Sequence, residues 1–319
     1  MKYLILGGTG FIGRNLIKEI ADKNNQFVIF SSCYPTSLND EFLNRLSCEN
    51  RLSFIVDNFN NPNLDFEKML SGVDIIVHLI STTTPATGNL DMVTEINDNV
   101  IPTIRLLQAA VVKNVKKIVF ISSGGTVYGK GFDEPISEEA KTLPICSYGI
   151  QKLTIEKYLA LFLHLYGLKY NVIRLANPYG PLQNPQAKVG AVTTFAYNAI
   201  NDLPITIFGD GSIVRDYIYI KDAVCAIHQI INYQGEETVF NVGSGKGHSL
   251  NDIVATINKI LNTSLTINYQ AGRNVDVMTN VLDVSKYENI FGNINQVSFE
   301  EGMKLMLEYF KELKTNTFA

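Results

Sequence analysis

The first twenty residues restrict the fold more than any other stretch of this chain. Lys2-Tyr3-Leu4-Ile5-Leu6 is a short apolar run that ends abruptly at Gly7-Gly8-Thr9-Gly10-Phe11-Ile12-Gly13, and Phe11, Ile12, Leu16, Ile17 and Ile20 then recur at helical spacing. Strand, glycine turn and helix in direct succession is the context in which a glycine-rich signature carries weight. Gly7 permits a tight turn, Gly10 lets backbone approach a pyrophosphate, and Gly13 lets the helix pack closely on the strand. The helix N-terminus then offers unpaired N–H groups and a positive dipole end to phosphate. With the spacing Gly-x-x-Gly-x-x-Gly, the candidates at this turn are Gly7, Gly10, Phe11, Ile12 and Gly13.

The same rhythm continues downstream. Apolar, β-rich runs at Phe27–Phe30, Leu52–Val56, Ile75–Leu79, Ile118–Ile121 and Asn171–Leu175 alternate with helical patterns at 11–22, 64–70, 96–113 and 147–166. That alternation predicts an α/β architecture, a parallel sheet with helices on both faces, and ligands at the carboxyl ends of the strands. Past residue 176 the texture changes to turn-rich pieces, helices near 189–201, 220–232, 249–261 and 299–313, and short strands at 205–208, 216–220, 238–242, 265–269 and 279–283. The expected division is a main unit of 1–176 with return segments near 214–242, and a smaller lobe of 177–213 and 243–319; Lys314–Ala319 is expected to fray.

Composition excludes several classes. With 46% hydrophobic and 18% charged residues in 319, a large core is available; a net charge of −4 without a basic cluster argues against a nucleic-acid partner. No apolar run approaches the roughly 20 residues of a membrane-spanning helix. Cys33, Cys48, Cys146 and Cys225 are scattered and the four histidines lack ligand spacing, so a reducing cytoplasm and no metal are expected.

The chemistry-bearing motif is Ser-Tyr-Gly-Ile-Gln-Lys at 147–152, which puts Tyr148 and Lys152 one helical turn apart on one face. A free phenol, with a pKa of about 10, is a poor base near neutrality. A neighbouring ammonium favours its ionised form, and can also reach the ribose of a nicotinamide cofactor. A hydroxyl, as at Ser122 or Ser123 at the end of the preceding strand, can orient the reacting oxygen. Proton and hydride transfer at a hydroxyl-bearing carbon is the reaction such a set suits.

Taken together, the chain resembles the extended short-chain dehydrogenase/reductases, and within them the UDP-glucose 4-epimerase-like branch of nucleotide-sugar 4-epimerases. The resemblance rests on Gly-Gly-Thr-Gly-Phe-Ile-Gly at 7–13, Ile-Ser-Ser-Gly-Gly-Thr-Val-Tyr-Gly at 121–129 and Ser-Tyr-Gly-Ile-Gln-Lys at 147–152. It continues in Asn-Pro-Tyr-Gly-Pro at 177–181 and Gly-Asp-Gly-Ser-Ile-Val-Arg-Asp-Tyr-Ile at 209–218. It implies a doubly wound Rossmann fold with a smaller C-terminal substrate-binding lobe. It also implies a cytoplasmic homodimer joined through the helices at 96–113 and 147–166, with Leu106, Leu107, Ala110, Leu159, Phe162 and Leu163 as surface, and a place in polysaccharide biosynthesis.

Carried over by residue, the resemblance makes Tyr148 and Lys152 catalytic and brings them, with Leu79, Asn99 and Ser122, to the cofactor. Ser31, Ser32, Asp57 and Asn58 fall at its adenosine end. Thr82, Asn177, Arg215, Arg273 and Asp276 fall at a nucleotide-diphosphate sugar, an arginine fork suiting phosphate oxygens. Two positions depart from the family. Ser31 stands where NAD-binding members place an aspartate, leaving NAD and NADP both open. Gly124 stands where a hydroxyl is usual, so Thr126, the preferred candidate, or Ser123 must supply it. A 4-ketoreductase of a 4-keto-6-deoxy nucleotide sugar would use the same residues and consume NAD(P)H.

Overall fold

Seven parallel-wound strands, in the spatial order Val239–Val242, Lys169–Leu175, Lys117–Ser123, Ile75–His78, Lys2–Leu6, Gln26–Ser31 and Leu52–Val56, form the frame that positions the candidate site. The computed structural model describes residues 1–22, 24–33, 40–84, 89–131, 135–187, 190–272, 277–294 and 296–317. In chain order the first part comprises β1 (Lys2–Leu6), α1 (Phe11–Ile20), β2 (Gln26–Ser31), α2 (Glu41–Cys48), β3 (Leu52–Val56), α3 (Phe66–Met69), β4 (Ile75–His78), α4 (Met92–Glu95), a π-turn (Ile96–Val100), α5 (Ile101–Val112), β5 (Lys117–Ser123), α6 (Ser147–Tyr166) and β6 (Lys169–Leu175). There follow β7 (Asn177–Tyr179), α7 (Ala191–Ile200), β8 (Ile205–Phe208), β9 (Val214–Tyr219), α8 (Ile220–Asn232), β10 (Val239–Val242), β11 (Gly247–Ser249), α9 (Leu250–Leu261), β12 (Ile267–Gln270), β13 (Thr279–Asn280), α10 (Ser285–Phe291) and α11 (Phe299–Thr317).

The chain divides into two compact units. The first is Met1–Tyr128, Thr142–Arg174 and Ile227–Phe240. Its strands are nearly continuous apolar runs, as a sheet covered on both faces requires; Leu4, Ile5, Leu6, Ile76, Val77, Val119 and Phe120 are all fully buried. His78 closes β4 between Phe59 and Phe120, and burial first, then the Lys152 charge, lowers its pKa to about 3, so it packs as a neutral ring. Lys117 opens β5 and donates to the carbonyls of Ile230, Ile231 and Tyr233, closing the last turn of α8.

The second unit is Gly129–Lys141, Leu175–Ala226 and Asn241–Ala319. Here β9 pairs with β7, β11 and β13, while β8 pairs with β12. Helices α7, α9 and α11 share a core of Val192, Phe195, Ile253, Ile257, Met306 and Phe310.

Three expectations change. The segment returning to the first unit is 227–240 rather than 214–242, because β9 finds its partners in the second unit, which also takes 129–141. The last helix does not fray at Lys314 but continues to Thr317, with the Lys314 ammonium donating to the Ile200 carbonyl at 2.6 Å. Finally, Leu106, Leu107, Ala110, Leu159 and Phe162 are core rather than surface. The apolar side chains that α5 and α6 do expose are Ile101, Val112, Ile150, Leu161, Leu163, Leu165 and Tyr166.

Candidate active site

The site begins at the glycine turn. Gly7 has φ +81° and accepts at its carbonyl from Gly10 N at 3.0 Å, while Gly10 caps α1 in extended conformation. A Cβ on Gly13 would lie 2.6 Å from both Gly7 O and Gly8 Cα, so helix and turn touch at backbone. The first-turn residues Phe11, Ile12 and Gly13 thus sit directly against the turn, the arrangement that cradles phosphate. Leu79 follows β4 beside this turn, its N–H donating to Leu6 O at 3.0 Å.

At the end of β2 the Ser31 hydroxyl shares a 2.7 Å hydrogen bond with Thr9, and the neighbouring Ser32 is exposed. Asp57 directly follows β3 beside Ser31, with its N–H on the Ser31 carbonyl. The Asp57 carboxylate accepts from Asn58 N and from the Asn61 amide, and Asn58 is exposed.

β5 delivers two serines to opposite sides, as strand alternation demands. The Ser122 hydroxyl is buried and donates to Glu156 on α6. Ser123 faces the other way and is hydrogen-bonded with the Tyr148 phenol. Thr126 Oγ1 is buried without a hydrogen-bond partner. Of the two hydroxyls proposed to replace the one missing at Gly124, the one on the phenol is therefore Ser123, against the preference for Thr126. Gly149, which the sequence did not single out, explains the tight fit: a Cβ there would meet Thr126 O at 2.8 Å and Pro144 Cβ at 2.9 Å.

Lys152 is buried, donates to Ile121 O at 2.9 Å, and lies 4.7 Å from the Phe120 ring centre and 5.7 Å from that of Tyr148. Burial lowers its pKa to about 7 despite the opposing Glu156 charge. Burial, then the Cys146 charge, raises the phenol of Tyr148 to about 12, and the Ser123 hydrogen bond pulls the other way. Behind them, Glu156 makes a buried ion pair with Arg174 at 2.8 Å, and Arg174 also donates to the Tyr128 hydroxyl at 3.0 Å.

Asn99, expected at the cofactor, is buried and turned inward. Its Oδ1 accepts from Thr82 N at 3.0 Å, and its Nδ2 faces Thr82 Oγ1, Glu95 O and Gln151 Oε1. Thr82 itself is exposed. Among the described residues no His, Cys, Asp and Glu group could hold a metal ion.

The remaining candidates belong to the second unit. Asn177 lies opposite Tyr217 and donates to the Asp216 carbonyl at 2.8 Å. Arg215 is half-buried on β9, between His248 and Asn280 in register. The adjacent Asp216 points into the core and accepts from Ser244 N, Ser244 Oγ, Gly245 N and Leu282 N, which pins β9 and hence Arg215. Arg273 and Asp276 lie outside the described residues.

Known proteins share this fold. A UDP-glucose 4-epimerase from Thermotoga maritima, solved with UDP-glucose, superposes with a TM-score of 0.88 at 31% identity, covering 98% of this chain and all of that one. A UDP-glucuronic acid 4-epimerase from Bacillus cereus, in complex with UDP-glucuronic acid and NAD, gives 0.88 at 26% identity over 98% and 100%. The dTDP-4-dehydro-6-deoxyglucose reductase of Escherichia coli is 32% identical over 308 residues, 96% of each chain. The pattern of the NAD dependent epimerase/dehydratase family matches residues 3–243, from the first strand past the last strand of the main sheet. A glycine turn joined to a Tyr–Lys helix in this sheet, with that match, makes the chain a member of the NAD dependent epimerase/dehydratase family.

Proposed function

We propose that the protein is an NAD-dependent 4-epimerase of a nucleotide-diphosphate hexose, with UDP-hexoses the first to test. The observation that carries this reading is the meeting of Tyr148, Ser123 and Lys152 at the end of β5, in the unit that holds the glycine turn. The turn fits a dinucleotide because backbone, not side chain, occupies the space at Gly10 and Gly13. Gly7, Gly10, Phe11, Ile12 and Gly13 would hold the pyrophosphate, Ser31, Ser32, Asp57 and Asn58 the adenosine end, and Leu79 and Lys152 the nicotinamide end. Bound NAD supplies a hydride acceptor that later gives the hydride back.

Tyr148 takes the proton of the sugar 4-hydroxyl and returns it to the opposite epimer, so no proton is consumed overall. Lys152, when protonated, favours the phenolate. Ser123 orients the 4-oxygen. Arg215 is assigned to the nucleotide-sugar diphosphate and Asn177 to its sugar-phosphate end, and Arg273 with Asp276 to phosphate and ribose. Ser31 presents a hydroxyl rather than a carboxylate, so NADP is the second cofactor to test.

Purified protein should interconvert the epimers of a UDP-hexose with catalytic or no added cofactor, and deuterium placed at C4 should stay in the product. The E. coli reductase favours a second reading, reduction of a 4-keto-6-deoxy nucleotide sugar. Stoichiometric NAD(P)H loss with such a substrate, and no epimer exchange with UDP-, dTDP- or GDP-hexoses, would replace the first reading by the second.

Ser123→Ala should slow the chemical step by about 10- to 100-fold, the value of one hydrogen bond to a charged or charging group. Thr126→Val should change it by less than about threefold, because the hydroxyl on the phenol is that of Ser123. Rapid-quench kinetics on both variants would rank them, and the reverse order would return the role to Thr126.

A cytoplasmic homodimer through α5 and α6 belongs to the same reading. Packed against α5, the π-turn and β5, helix α6 still leaves Ile150, Leu161, Leu163, Leu165 and Tyr166 exposed, and a helix that is apolar all round is ordinarily a buried one. Light scattering should give a dimer at micromolar concentration, and Leu161→Glu with Leu165→Glu should shift it to monomer. A monomeric parent protein would end this assignment.

A further inference from the structure

Two residues absent from every expectation above link the catalytic helix to the loop after β4. Glu95 is buried at the end of α4, and its Oε2 accepts from Ser147 Oγ and from Gln151 Nε2, each at 2.6 Å. Ser147 and Gln151 immediately precede Tyr148 and Lys152. One carboxylate oxygen therefore holds the first turn of α6 at two points, next to both members of the pair.

The connection continues outward. Gln151 Oε1 accepts from Asn99 Nδ2 at 3.0 Å, and Asn99 binds both the N–H and the hydroxyl of Thr82. Glu95, Asn99, Ser147 and Gln151 are all buried, whereas Thr82 is exposed. The chemistry at 151 is demanding: the side chain must donate to a carboxylate at one end and accept from an amide at the other. A side-chain amide long enough to span both does this, donating from its nitrogen and accepting at its oxygen.

The backbone is shaped to the same end. Glu95 is followed at once by the π-turn Ile96–Val100, and the Glu95 carbonyl receives Asn99 Nδ2 at 3.0 Å. π-turns are rare within helices and recur at functional sites.

We propose that Glu95 and Gln151 are positioning residues, locking the Tyr148 helix to the Thr82 loop through Asn99 so that the phenol and that loop are held in one geometry. The proposal rests on the reading of Tyr148 as the proton-transfer group.

The test uses the full-length protein loaded with NAD and four variants. Gln151→Glu sets two buried carboxylates against each other, Gln151→Met removes the polar link without adding charge, and the exchange Glu95→Gln with Gln151→Glu restores a carboxylate–amide pair in reverse. Tyr148→Phe is run in parallel. Because a displacement of about 1 Å can cost about 10²-fold, kcat should fall about that far in both single variants, with KM and the NAD Kd within about twofold. The exchange should recover most of kcat.

A second readout needs no substrate: the phenolate absorbance of Tyr148, taken as the difference from Tyr148→Phe, should titrate at a shifted pH in Gln151→Met and return in the exchange variant. The proposal is overturned if either single variant that binds NAD normally keeps kcat within threefold, or if the exchange variant binds NAD normally without recovering kcat. Should Tyr148→Phe turn over like the parent, the proton-transfer reading fails instead, and the phenolate titration still decides whether Gln151 positions Tyr148.

Discussion

Tyr148→Phe is expected to bind NAD and stay folded while losing about 10²–10⁴-fold in kcat, the range for removing a general acid–base group. The ring is retained, so its packing against the Lys152 ammonium at 5.7 Å survives and only the proton carrier is lost. In the protein without cofactor the phenol is held near 12, well above neutral, because burial disfavours the phenolate. The reaction therefore depends on the ammonium and the Ser123 hydroxyl to stabilise the phenolate as it forms. Stopped-flow measurement of the hydride step, with NAD binding measured separately, checks this. Near-parent turnover in the variant would remove Tyr148 from the reaction.

Arg174→Ala should destabilise the fold by about 3–5 kcal/mol, among the largest effects of any single change. The reason is that Glu156 would be left in the core without its ion-pair partner, with Ser122 as the remaining hydrogen-bond donor to it among the described residues. Burial alone would lower the Arg174 pKa, but the hydrogen bonds and charge of Glu156 outweigh it and hold it above its ordinary value. Replacing both partners, Glu156→Leu with Arg174→Met, should recover most of the loss, since a well-packed apolar pair avoids desolvation altogether. Urea midpoints of the three proteins give the comparison. A single variant within about 1 kcal/mol of the parent would mean that water or Tyr128 already compensates Glu156.

Much of the frame could be read from periodicity. Helix α6 runs from Ser147 to Tyr166 as its apolar spacing indicates, and the strands of the main sheet lie within two residues of their expected bounds. Helix α2 leaves no period in the sequence, because only Leu43 and Leu46 are buried in Glu41–Cys48. The pattern at 96–113 reads as one helix, yet it opens with a π-turn, since apolar spacing does not register one extra residue per turn.

The glycine turn and the Tyr148–Lys152 pair were legible as local spacings. What spacing could not give was direction. Ser122 and Ser123 are neighbours of identical chemistry, and only the phase of β5 sends one to Glu156 and the other to Tyr148. Asn99 likewise shows its inward turn only once Gln151, far along the chain, is placed beside it.

Lys152 carries a further consequence, a standing trade between persistence and turnover. Its ammonium has lost its water and gained one carbonyl, so its pKa in the folded chain is about 7 against an ordinary 10.5. Below pH 7 the proton is held in both folded and unfolded chains, and the folded state bears the full burden of a dehydrated charge. Between about 7 and 10.5 the unfolded chain binds a proton that the folded chain has released, so stability from this residue rises with pH until the burden is gone. Lys152→Met should therefore make the cofactor-free protein more heat-resistant at pH 6, by about 1–3 kcal/mol after the lost carbonyl bond, with the gain fading towards pH 10. A protein selected for endurance alone would discard this lysine; keeping it is the mark of a chain selected to react.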